Sequence, residues 1–105
     1  MVMTMTFTLS DVLDDLRIAE KALRKFEQRY WLSSEVFYEL YSQGLLDNGD
    51  SVEEFAEWAG HYVLKQKREV ALQRFSRQRV EHLRSQAHDH TTVHLAPQEP
   101  VLELA

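Results

Sequence analysis

Three histidines, His88, His90 and His94, with Asp89 between the first two, are the residues of this 105-residue chain whose types most resemble a metal site. A closed zinc centre wants about four ligands on a rigid frame. These histidines instead fall where a helical pattern runs out into a tail containing Pro97 and Pro100. The chain has no cysteine, so thiolate zinc sites, disulfides and Cys nucleophiles are excluded. Glu53, Glu54 and Glu57 form a dense carboxylate group, but no glycine- or loop-built pocket surrounds them to shift their pKa values. A glycine-rich phosphate loop and an H-E-x-x-H helix are both lacking. The residue types therefore imply no catalysis, no metal and no cofactor.

Binding chemistry is better represented. Residues 31–64 carry seven acids and no Lys or Arg, whereas residues 65–84 carry seven bases against Glu69 and Glu81. Within residues 26–62 lie nine aromatics, Phe26, Tyr30, Trp31, Phe37, Tyr38, Tyr41, Phe55, Trp58 and Tyr62. Phe26, Phe37 and Phe55 suit a core. A small helical unit has little room for the rest, which leaves two readings. Either the surplus Tyr30, Trp31, Tyr38, Tyr41, Trp58 and Tyr62 join Glu53, Glu54 and Glu57 in an interface for a basic partner, or all nine make one crowded core. The basic stretch offers Lys67, Arg74 and Arg77 as candidate phosphate contacts along a helix. Only Phe75 interleaves them, so base-specific readout is unsupported.

These residues need helices to position them. Leu9, Val12, Leu16, Ala19, Leu23, Phe26 and Tyr30 recur at steps of 3 and 4, a heptad seam that predicts a helix over about residues 10–31. Thr8 or Ser10 caps it, and acids early with bases late complement its dipole. Leu9, Val12, Leu16, Ala19, Leu23 and Phe26 are also the expected seam of a homodimer. A second, short helix spans 34–43 and stops at Gly44, a residue free to take positive φ. A turn pivots on Asn48-Gly49, and Ser51 with Glu54 forms a capping box for a third helix reaching about residue 88. Gly60 inside that helix marks either a close helix contact or a chance glycine.

The expected fold is all-α: two long antiparallel helices joined by a short one, with an extended or disordered C-terminal tail. Residues 1–88 would form the helical dimerisation and interaction domain. Residues 89–105 would form a flexible partner-binding tail, with Val93, Leu95, Val101 and Leu102 as its apolar contacts. The run over residues 3–9, alternating Thr with apolar residues, suits a short strand. No basic n-region and no apolar run of about 20 residues is present, so the chain reads as cytoplasmic, with no membrane partner.

Lys25-Phe26-Glu27-Gln28-Arg29-Tyr30, Ser33-Ser34-Glu35-Val36-Phe37-Tyr38, then Gly44, Asp47 and Phe55-Ala56-Glu57-Trp58-Ala59 together carry a family resemblance. Over roughly residues 20–65 the chain resembles small helical prokaryotic proteins, the antitoxin members of type II toxin–antitoxin pairs. The resemblance implies a partner to be neutralised, here a small basic toxin of ribonuclease type. Two departures stand out: Trp31 occupies a position where the family pattern tends to have Gly, and the chain continues about 40 residues further. Two other functions fit the same residues, a non-catalytic oligomeric scaffold or adaptor and a nucleic-acid-binding accessory using residues 65–84.

Overall fold

The computed structural model describes residues 7–47, 49–87, 92–97 and 103–104. In chain order these form β1 (Phe7–Thr8), α1 (Leu9–Tyr30), α2 (Ser34–Ser42), α3 (Val52–Ser85) and β2 (Glu103–Leu104). The fold is all-α; the two strands are a single antiparallel bridge of two residues each, Phe7 opposite Leu104 and Thr8 opposite Glu103. Asn48, His88, His90, Val101, Leu102 and residues 3–6 lie outside the described residues.

Helix α1 begins as expected. The Thr8 hydroxyl accepts from the Asp11 N–H at 3.0 Å, and the Asp11 carboxylate accepts from the Thr8 N–H at 3.2 Å, a reciprocal box that satisfies two end donors. Ser33 caps α2 in one direction only, its hydroxyl accepting from the Val36 N–H. The capping box predicted at Ser51 is not formed. Ser51 takes φ −103° and ψ 17°, outside the extended conformation of an N-cap, and makes no side-chain cap, while the Glu54 carboxylate is ion-paired with Arg29 of α1 at 3.1 Å.

Helices α1 and α3 pack antiparallel, tied near one end by Arg29 and Glu54 and towards the other by Arg68, whose Nε donates to Asp15 at 2.7 Å. The heptad seam is the face that meets α3. Val12, Leu16, Ala19 and Leu23 are all buried within the single chain and Phe26 stacks on Trp58 of α3, which corrects the assignment of these five to a dimer seam; Leu9 is half-buried. A three–four repeat specifies a helical neighbour without saying whose helix it is, and α3 is supplied by the same chain.

Charge explains the orientation. Helix α1 runs from acids (Asp11, Asp14, Asp15) to bases (Lys21, Arg24, Lys25, Arg29), and α3 likewise runs from Glu53, Glu54 and Glu57 to its basic half. Antiparallel packing sets acid against base at both ends, whereas parallel packing would oppose like charges. The segregation of charge along the sequence thus serves topology first. It does not vanish: counting the facing α1 residues, the α2 pole (residues 20–64) keeps a net −5 and the opposite pole (7–19 with 65–85) a net +3.

At 1.5 Å per residue, α3 is about 50 Å long against about 33 Å for α1, so its last turns project past the start of α1. The tail comes back over that projection. The Arg79 guanidinium donates to the Ala96 carbonyl, and β2 then pairs beside the first residues of α1. Gly60 faces open space, where an added methyl group would meet nothing within 4 Å, so it is not a site of close helix approach. Among the described residues no helix is long and apolar enough to cross a membrane.

Candidate functional site

The pole where α2 joins α1 and α3 is built on Trp58. Its ring stacks on Phe37 at 3.7 Å between centroids, with Phe26 and Tyr30 stacked at 5.4 and 5.5 Å. Phe55 meets Tyr30 and Phe37 edge-on, Tyr41 stacks on Phe37, and Tyr38 leans on Tyr62 at 5.0 Å. Eight of the nine aromatics therefore form one cluster, with Trp58 only 1% exposed. This corrects the placing of Trp58 in a partner-binding surface. Tyr30, Tyr38, Tyr41 and Tyr62 keep half-buried edges.

A buried indole needs an acceptor for its N–H. Trp58 Nε1 donates to Ser34 Oγ at 2.9 Å, and that hydroxyl donates onward to Glu27 Oε2 at 2.8 Å. The Ser34 N–H reaches the same Glu27 oxygen at 3.0 Å, while Arg24 donates to the other one at 2.9 Å. One chain of hydrogen bonds thus joins α3, α2 and α1. Burial raises the Glu27 pKa, but the two bonds from Ser34 and the Arg24 charge outweigh it, leaving the carboxyl below its ordinary value. Burial raises the Tyr62 pKa, helped by the nearby Glu35 and Glu69 carboxylates and by Tyr38, with Gln66 opposing. Ser34 is 3% exposed, and its hydroxyl is committed on both sides, so this network fixes three helices and does not present a nucleophile.

Trp31 stands apart. It is 92% exposed and closes α1 in the left-handed conformation, φ 56° and ψ 42°. Among the described residues it is the one non-glycine with positive φ. The geometry of this helix end recurs at the end of α2. There Leu45 N–H reaches back to the Leu40 carbonyl at 3.0 Å around Gly44 at φ 69°, just as Leu32 N–H reaches the Glu27 carbonyl at 3.4 Å around Trp31. Glycine takes this conformation freely; for a bulky side chain it costs roughly 1–2 kcal/mol. The chain holds a large aromatic where its backbone favours glycine and where the ring packs on almost nothing.

The other predicted contacts sort as follows. Glu53 is exposed, Glu57 is largely exposed beside His61 at 3.8 Å, and Glu54 is engaged by Arg29. Lys67, Arg74 and Arg77 are exposed on α3, and Val93 and Leu95 are exposed on the tail. Val101 and Leu102 lie outside the described residues. Among the described residues no group of three or more His, Asp or Glu is placed to hold a metal ion. The Glu27–Ser34–Trp58 chain has no signature in the sequence, since nothing in the spacing of 7 and 24 residues announces it. No family model matches the chain, and neither a curated protein nor a solved structure matches it.

Proposed function

We propose that this chain is a non-catalytic binding protein that captures a basic protein partner at the pole bearing Trp31. In its most specific form, drawn from the family resemblance, it is a cytoplasmic antitoxin that neutralises a small basic toxin of ribonuclease type. The observation that carries the reading is Trp31 itself. An exposed aromatic held in a costly backbone conformation is a feature that folding alone does not select, and such outliers concentrate at functional sites. Exposed Trp is also the residue type most enriched among interface hot spots. The surrounding net −5 would attract a basic surface and speed its approach, and covering that surface would exclude a polyanionic substrate.

The test is co-expression with the product of the neighbouring gene, using the native chain and the Trp31→Ala variant. A complex that forms with the native chain, silences the neighbour's toxicity and is lost in the variant supports the reading. A complex indifferent to Trp31 removes its basis. A second reading rests on the exposed Lys67, Arg74 and Arg77 of α3, which suit phosphate contact by an accessory protein. A salt-dependent gel retardation with duplex DNA and with RNA separates it from the first.

A further inference from the structure

Helix α1 carries a second stripe besides the one packed on α3. Asp11, Asp14, Ile18, Lys21, Lys25 and Arg29 follow one another at steps of 3, 4, 3, 4 and 4, which places them along one side of the helix. Ala22 lies beside Ile18 on that side, and its C-terminal part forms one wall of an open groove of about 600 Å³ against Glu54 and Glu57 of α3. The order along the stripe is acid, acid, apolar, base, base, base. Its centre is exposed: Ile18 has 62% of its surface in solvent. Lys21 and Lys25 form no ion pair among the described residues, and Asp14 has only a loose, exposed contact with Arg17 at 3.4 Å.

We propose that this stripe binds the same stripe of a second copy of the chain, the two α1 helices lying antiparallel about a twofold axis at Ile18 and Ala22. A twofold interface must be self-complementary, each residue meeting a partner that it would itself accept in return. The stripe satisfies this by sequence position. With the axis midway between residues 18 and 22, Asp14 falls within one residue of Lys25 of the other copy and Ile18 falls opposite Ala22; the outermost pair, Asp11 and Arg29, is of matching sign but each is already engaged within its own chain, by Thr8 and by Glu54. A parallel arrangement would stack bases on bases. The groove's second wall adds Glu54 and Glu57, which keep the Arg29 end from being purely cationic. This surface is separate from the seam of Val12, Leu16, Ala19 and Leu23, already filled by α3, and the inference is independent of any function at Trp31. One helix pair is a small interface, so association in the micromolar range is expected.

The test is sedimentation equilibrium of the full chain from micromolar to millimolar concentration. The expected result is a mass rising from 12.4 kDa towards twice that value, with dissociation favoured by high salt. Ile18→Glu should weaken the dimer at least about tenfold while leaving the helical circular dichroism unchanged, since the residue is not part of the core. Asp14→Lys should weaken it too, and combining Asp14→Lys with Lys25→Asp should restore it. A chain that stays monomeric at millimolar concentration overturns the proposal. So does a dimer insensitive to Ile18→Glu, or a double variant no tighter than Asp14→Lys alone.

Discussion

Replacing Trp31 by glycine and by alanine separates what the residue costs the fold from what it contributes to binding. Alanine removes the ring but keeps a Cβ in the left-handed region, so the backbone cost remains. Because the ring is 92% exposed, its loss should change stability by no more than about 0.5 kcal/mol. Glycine also removes the backbone cost of about 1–2 kcal/mol, offset by the extra freedom it gives the unfolded chain. The net expectation is that Trp31→Gly is more stable than Trp31→Ala by about 1 kcal/mol, or about 4–8 °C in Tm for a domain of this size. Binding should move the other way. Docking an indole that buries about 200 Å² corresponds to a gross gain of about 5 kcal/mol, and truncation at such a hot spot costs at least about 2 kcal/mol. Both variants should therefore bind the partner at least about 30-fold more weakly. Urea unfolding and titration calorimetry on the three proteins read the two effects. Equal stability of the two variants refutes the backbone argument, and undiminished affinity in both refutes the hot spot.

Three other outcomes follow from the packing. Ser34→Ala leaves the Trp58 N–H buried without an acceptor and should destabilise the fold by about 1–3 kcal/mol in urea unfolding. Gly60→Ala should stabilise by up to about 1 kcal/mol, because the methyl meets open space on a helix; a loss of stability would mean that the site is covered. The Glu27 pKa is depressed by folding, so its contribution to stability is complete above the ordinary value of 4.5 and is lost as the pH falls through the folded value. The stability gap between the native chain and Glu27→Gln should accordingly be widest near neutrality and shrink below about pH 4.5. A gap constant from pH 7 to 3 would place the role of Glu27 elsewhere.

The helices are legible in the sequence because their signals are local. The three–four spacing from Leu9 to Tyr30, the candidate cap at Thr8 and the stop at Gly44 depend only on neighbours a turn away. Features that depend on the facing element are not legible in this way. The period of the seam carries no address, so it suits a second chain as well as α3, and nothing in Ser51-Val52-Glu53-Glu54 foretells Arg29 as the ion-pair partner of Glu54. Composition leaves open whether the surplus aromatics line a surface or join one core; the packed rings share one cluster around Trp58 and leave Trp31 as the exception. The acid-to-base polarity of α1 is readable beside that of α3, and the two together specify antiparallel packing. As for the binding site, the sequence identifies Trp31 as a candidate among six surplus aromatics, and its exposure together with its left-handed backbone singles it out.

The two tryptophans of this chain occupy opposite environments, one sealed in a stack of rings and hydrogen-bonded to Ser34, the other standing in water. Their fluorescence should therefore divide into two channels, a quenched, blue-shifted one reporting the integrity of the helical core and a red-shifted one reporting events at the pole. A molecule that couples capture of a partner to rearrangement of its core would move both signals together. One that offers a rigid platform would move only the Trp31 emission, and would then carry its own built-in optical sensor for occupancy.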